Sequence, residues 1–283
     1  GLDRIGHVEE WSDRRDDVLR TGRLTADDVD GYFGRYPDRF QLFGPKPLLQ
    51  QRRLLEECRN SKSEQVSSGV NKLVLTRAAG QSFVWQSHTT DATAPPVPAA
   101  EAFLALLAWL YYGPGGRCTS RRAPGQDKPA ADTRTSPLRG TVSYHPWGET
   151  LFETLLIGLP FLPSDGGDLA PWEEETEPDP LGLPPAPRGI ARMLTARARH
   201  AVLLTPSADG RDVVDARITW AWRREHPPAL DPFVIHQSSK DDPTALFPVA
   251  ANADRAVWRD LDSLTAKNDW SGRRRRPKVF DDL

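Results

Sequence analysis

Two groups of residues in this chain have types and spacing suited to holding a polyanion. Gly113-Pro114-Gly115-Gly116-Arg117 comes first, and Ser120-Arg121-Arg122 follows within a few residues. Glycines let backbone amides come close to a ligand, and guanidinium groups pair with phosphate. This combination suits a nucleic-acid backbone or groove better than a small substrate. The bland alternative is a helix C-cap followed by a loose loop. The residues ahead of the glycines, Pro98-Ala99-Ala100-Glu101-Ala102-Phe103-Leu104-Ala105-Leu106-Leu107-Ala108-Trp109-Leu110-Tyr111-Tyr112, read as a buried apolar helix that delivers the loop to the surface.

The chemistry of a catalyst is harder to find. There is no Gly-x-Ser-x-Gly, and the glycine run lacks the Lys-Ser/Thr and the preceding strand of a Walker loop. The six histidines, at 7, 88, 145, 200, 226 and 236, have no His or Cys partner at ligand spacing, so no metal and no cofactor are expected. His145, before Pro146-Trp147, could act as a general base, but such a histidine also serves as a structural hydrogen-bonding residue. Glu173-Glu174-Glu175 reads as solvated charge in a proline-rich stretch.

Composition narrows the class further. A net charge of −2 excludes a globally cationic nucleic-acid binder, so any such site is a local patch. Two cysteines, Cys58 and Cys118, provide no disulfide framework and fit a reducing cytoplasm. No segment has the length and apolar purity of a membrane span, and a cytoplasmic protein is expected. With 26 prolines and 21 glycines, long loops are expected, chiefly at 113–137 and 160–188.

Elements are legible along the chain. An amphipathic helix is predicted over 7–20, and a second opens at a Thr25 cap and closes before Pro37. Leu48–Cys58 is a further helix candidate. Lys72–Leu75 and Ser82–Trp85 read as two short strands, Thr141–His145 as another, and 149–159 as a helix with Leu151, Phe152, Leu155 and Leu156 on one face. A short helix over 188–197 precedes a hairpin, Val202–Leu204 with Val213–Trp222, turning at Ser207-Ala208-Asp209-Gly210. In its second strand Val214, Ala216, Ile218, Trp220 and Trp222 alternate with Asp215, Arg217, Thr219 and Arg223. Leu246–Val249 is a last strand, Asp254–Leu264 a last helix, and Arg273–Arg276 a basic tail. The mixture lacks a βαβ rhythm. It predicts an irregular α+β fold with short strands, a buried central helix and long Pro/Gly-rich loops.

Several segments, in order, resemble one family. These are Tyr36–Phe43 with Pro47-Leu48-Leu49-Gln50; Val70–Val74 with Phe83 and His88-Thr89-Thr90-Asp91; the apolar helix with Gly113–Gly116; Leu151–Pro160 with Pro171-Trp172-Glu173; Asp231-Pro232-Phe233; and Ala256–Leu261. Together they resemble CasA, the large subunit of the type I-E CRISPR surveillance complex Cascade, over roughly residues 8–265. The resemblance implies a non-catalytic subunit that reads the protospacer-adjacent motif of double-stranded target DNA from the minor groove. It also implies contact with the crRNA 5′ handle and with other Cascade subunits, and recruitment of a helicase-nuclease effector.

On the same resemblance, Gly113, Gly115 and Gly116 match the motif-reading glycine loop, and Lys240 matches the family's lysine finger. Phe83, Trp85 and His88 match the handle-contacting loop. Phe83 or Trp85 could stack on an unpaired base, although Phe83 would serve a strand core equally well and Trp85 reads better as core. Arg117, Arg121 and Arg122 would add salt-dependent phosphate contacts. The resemblance further implies a CasA-like N-terminal-type α+β domain over 1–265. Residues 266–283 are expected as a basic tail or linker toward a helical bundle outside these 283 residues, and the family's duplex-opening wedge falls in that outside part. Two other readings stay open from the residues alone: a stand-alone nucleic-acid-binding protein using the arginine patches, and a hydrolase around His145.

Overall fold

The computed structural model describes residues 7–80, 84–85, 87–162, 167–187, 189–225, 230–265 and 273–283. At its centre is a three-stranded antiparallel sheet in the order β1 (Val97–Pro98), β5 (Asp212–Trp220), β4 (His200–Pro206). Strand β4 is buried on both faces, and its alternation sorts its residues. Val202 and Leu204 point to one face and pack with Ala102, Leu106, Trp109 and Leu110 of helix α5 (Ala99–Tyr112). Ala201 and Leu203 point to the other and pack with Leu54 and Cys58 around the single turn α3 (Leu54–Glu57).

The chain folds into the predicted α+β class, and the hairpin forms with the expected turn. In β5 the alternation of burial holds from Ala216 to Ile218; it is lost at the fully buried Thr219, and it fails at Val214, which is 44% exposed while Val213 is buried. The cause is a bulge: Thr205 pairs with Asp215 and Pro206 with Val213, so one residue is skipped. Beyond the short β1, Ser68 completes the edge of β5, donating from its amide to Ala216 O at 2.8 Å and accepting Ile218 N–H at 3.0 Å.

Helices α1 (Val8–Thr21) and α2 (Ala26–Arg35) form as predicted, with Thr25 Oγ1 accepting Asp28 N–H at 3.1 Å. Helix α6 (Leu151–Ile157) is closed by a capping box between Thr150 and Glu153. Its predicted inward face is only partly inward: Leu156 is buried, while Leu151 and Leu155 are 74% and 61% exposed.

Other expectations are corrected. Lys72–Leu75 is not a strand; Val70–Leu73 forms the turn α4, entered through Gly69 at φ 76° and tied to α5 by Trp109 Nε1 donating to Leu73 O at 2.9 Å. Residues 113–137 are not one loose loop: β2 (Gly116–Arg121) pairs with β3 (Ala130–Thr133). In the segment 160–188 the described residues, 160–162 and 167–187, form no helix or strand but are anchored. Glu173 accepts from Tyr32 Oη at 3.0 Å and from Ala170 N–H at 2.8 Å, so it is a structural acceptor rather than solvated charge. After the helix α7 (Ile190–Arg197) and the central hairpin, β6 (His236–Ser238) pairs with β7 (Leu246–Pro248) and with β8 (Arg274–Arg275). The basic run is therefore not a tail. Arg274 and Arg255 both pair with Asp260, Val279 is fully buried, and Phe161 N–H donates to Asp282 Oδ2 at 2.8 Å. A 3₁₀ turn (Val257–Asp260) and α8 (Leu261–Thr265) stand where the last helix was expected. No described helix is long and apolar enough to cross a membrane.

Candidate nucleic-acid interface

Helix α5 ends because Pro114 forbids helical geometry at the residue before it. Gly113 is accordingly extended (φ −60°, ψ 142°), not a left-handed cap. Its glycine identity has a different cause: a Cβ there would lie 2.5 Å from Trp109 O and 2.6 Å from His200 Cε1. At Gly115 a Cβ would lie 2.6 Å from Thr135 Oγ1. Gly116 meets no such obstacle, and its φ of 115° is what calls for glycine. Gly113 is buried, whereas Gly115, Gly116 and Arg117 are exposed.

The loop is held by its main chain. Ser136 N–H donates to Gly113 O at 3.0 Å, His200 Nε2 lies 3.1 Å from Pro114 O, and Gly115 N–H donates to Thr135 Oγ1 at 3.2 Å. His200 is 1% exposed, and burial pushes its pKa down to about 4. The ring is therefore neutral. Because Pro114 O can only accept, Nε2 carries the proton, and Nδ1 lies 3.1 Å from Ser136 Oγ, whose hydroxyl also faces Leu110 O at 3.2 Å.

A group that is neutral in the fold and cationic in the unfolded chain has a definite pH signature. Its contribution is complete above the unfolded value of 6.5 and is lost as pH falls from there toward 4. His236, also pushed down by burial, acts in the same direction. We expect denaturant unfolding to show a loss of about 2 kcal/mol between pH 7 and pH 5 from His200. The slope over that range should flatten when His200 is replaced by Gln.

The predicted cations divide. Arg117 and Arg122 are exposed. Arg121 is fully buried, with Nε donating to Glu57 Oε2 at 2.7 Å and Nη1 to Trp220 O at 2.8 Å, so the expectation of a phosphate contact there is corrected. Lys72, missed in the sequence because it sits within an apolar run, lies beside the loop and donates from Nζ to Arg117 O at 3.1 Å. Burial and the neighbouring Arg117 lower its pKa. Arg134 also adjoins the loop, its carbonyl carbon 3.2 Å from where a Gly115 Cβ would lie. Lys240 is exposed, on the β6–β7 connection of a different sheet.

The candidate handle loop is pinned at its base. Fully buried Asn71 donates to Thr90 O at 2.9 Å and to Asp91 Oδ1 at 3.2 Å, and Asp91 Oδ2 accepts Gly80 N–H at 2.8 Å. His88 is exposed. Trp85 is 89% exposed, which removes the core alternative for it; Phe83 lies outside the described residues.

The exposed His145 stacks on Phe233 at 4.7 Å, and the Cys58 thiol is pushed up to about 12 by burial. Among the described residues no cluster of three or more His, Cys, Asp or Glu could hold a metal ion.

An apolar helix thus presents a braced glycine loop with cations around it, and an aromatic-bearing loop is pinned nearby in the chain. The sequence as a whole places this arrangement: the family model for CRISPR-associated protein Cse1 matches residues 4–283, and the chain belongs to that family. A curated relative, CRISPR-associated protein CasA/Cse1 of Thermus thermophilus, is 34% identical over 163 residues, covering 56% of this chain and 29% of the relative. A solved chain of a CRISPR RNA-guided surveillance complex is 46% identical, with a TM-score of 0.88, covering 99% of this chain and 55% of that one. A second, from a pre-nicking form of such a complex, is 44% identical with a TM-score of 0.86, over 99% and 54%. A crystal structure of Thermus thermophilus CasA shares the fold at 21% identity, with a TM-score of 0.70, over 99% and 51%. The chain thus spans about half the length of these solved relatives.

Proposed function

We propose that this chain acts within a crRNA-guided surveillance complex, where its glycine loop lies against the minor groove of the protospacer-adjacent motif in target DNA. The observation that carries this reading is the loop itself. Gly115 and Gly116 are exposed beyond the end of a helix that buries one face in the core, and neighbouring main-chain groups are already bonded to the protein. A groove with a degenerate donor and acceptor pattern suits such a backbone surface, and pairing with the guide supplies the remaining specificity.

Arg117, Arg122 and Lys72 contribute phosphate attraction around the loop. Lys240 reaches the same duplex as the lysine finger. Trp85 stacks on an unpaired base of the crRNA 5′ handle, and Phe83 and His88 contribute to the same contact. Recruitment of a helicase-nuclease belongs to the same proposal and rests on family membership. The role is one of binding, without a catalytic step.

Copurification tests it. Expressed together with a guide RNA and the other subunits, the chain should come down with the RNA and confer motif-dependent retention of a target duplex. A chain that binds duplex as tightly alone as with its partners would instead be a stand-alone nucleic-acid binder.

A further inference from the structure

We infer that His200 is the positioning residue that sets the specificity of the glycine loop. The inference rests on the reading of that loop as the groove-facing element.

Three consecutive loop residues are each fixed through one main-chain atom: Gly113 O by Ser136 N–H, Pro114 O by His200 Nε2, and Gly115 N–H by Thr135 Oγ1. Two of these ties come from residues adjacent in sequence, Thr135 and Ser136, that follow β3. The third comes from the first residue of β4, on the central sheet. His200 therefore registers Pro114 against the central sheet rather than against the loop's own hairpin, and Lys72 ties the loop to the core further on, at Arg117 O. The ring is also held by Ser136 Oγ at Nδ1 and packs edge-on against Trp109 at 5.2 Å. The ring also closes on Gly113: a Cβ there would lie 2.7 Å from Nδ1 as well as 2.5 Å from Trp109 O.

Burial, the Trp109 indole and the close Gly113 backbone leave the imidazole little room. His200 also forms part of the wall of a cavity of about 360 Å³ that includes Leu110, Tyr111 and Trp222. Its two hydrogen bonds fix which way the ring faces, and the loop keeps its posture through the ring. Reading a groove with backbone atoms tolerates little displacement, because the groups that discriminate cannot rotate as a side chain can. A loop released at Pro114 retains its charge and its glycines but loses its register.

Two substitutions separate a hydrogen-bonding role from a filling role. His200→Gln keeps an N–H donor near the Nε2 position; His200→Leu keeps bulk and removes the donor. Two readouts are taken. In the assembled guide complex, target binding is measured on a duplex with the motif and on one with the motif replaced. On the purified chain, amide hydrogen exchange is followed over residues 113–117, with the unfolding midpoint as a control for folding.

His200→Leu should lower the motif discrimination ratio by about tenfold, the value of one hydrogen bond, with little change on the motif-less duplex. It should also accelerate exchange at Gly115 and Gly116. His200→Gln should stay within about twofold of the parent in both readouts. The inference is overturned if Leu leaves exchange and ratio unchanged, or if Gln is as damaging as Leu, since the ring would then be filler. Faster exchange in the Leu variant with an unaltered ratio overturns the specificity role while leaving the brace. If the parent complex shows no motif dependence at all, the proposed function fails, and the exchange data still decide whether His200 braces the loop.

Discussion

Replacing Arg121 by Ala should destabilise the protein by about 3–5 kcal/mol, the cost typical of breaking a buried ion pair from one side. The guanidinium is fully buried and touches three different parts of the fold. It bonds Glu57 of α3, the carbonyl of Trp220 at the end of β5, and Gln51 Oε1 at 3.2 Å, and it lies over the Trp220 ring at 4.7 Å. Burial lowers its pKa while Glu57 opposes the shift. Removing it leaves the Glu57 carboxylate buried with Arg53 as its remaining cation, at 2.7 Å, and opens a hole beside Trp220.

The double variant Arg121→Met with Glu57→Leu should recover much of the loss, because an apolar pair of similar volume leaves no charge stranded. Chemical denaturation of the single and double variants measures both effects. A stable Arg121→Ala variant with weakened nucleic-acid binding would return Arg121 to the surface role that its sequence context suggests.

The second large effect is expected at Gly116. Inside the assembled complex, Gly116→Asp should reduce binding of a motif-bearing duplex by about tenfold to hundredfold, roughly 1.4–2.7 kcal/mol. The reason is specific to this position. At Gly113 and Gly115 an added side chain collides with His200 and with Thr135, so substitutions there report on folding as well as on binding. At Gly116 there is open space, and a side chain projects toward solvent. It would stand where the groove is proposed to lie, and a carboxylate would face phosphates. Gly116→Asn carries the same shape and the same backbone strain without the charge, and should lie between Asp and the parent. Binding curves on duplexes with and without the motif, together with unfolding midpoints, separate interface loss from backbone strain. Equal binding by all three proteins would remove Gly116 from the interface.

What could be read from the sequence was whatever short-range chemistry determines. Thr25 announces α2 because a hydroxyl three residues before an amide caps it locally. The hairpin of β4 and β5 is legible because its turn and its alternation lie within two dozen residues. The apolar run of α5 and its termination before Pro114 are local in the same sense, and they gave the position of the glycine loop.

What was missed depends on partners far along the chain. Arg121 looks like a member of a surface patch until Glu57, 64 residues away, is brought beside it. His200 looks like one scattered histidine, yet its partner Pro114 O is 86 residues distant. Residues 72–75 have strand-like composition, but the indole of Trp109 accounts for the carbonyls of a helical turn there. Trp85 is aromatic in a β-like run and nevertheless projects to solvent. The basic run at 273–276 reads as a tail because nothing local shows that β6 pairs with it.

The most direct measurement replaces Arg117, one residue past Gly116, with a photoreactive phenylalanine. The variant is then irradiated in the assembled guide complex bound to a target duplex. Covalent attachment to nucleotides of the motif is the predicted result, and it should vanish when the motif sequence is replaced. Attachment that ignores the motif, or adducts to protein neighbours with none to DNA, would contradict the placement of this loop against the duplex.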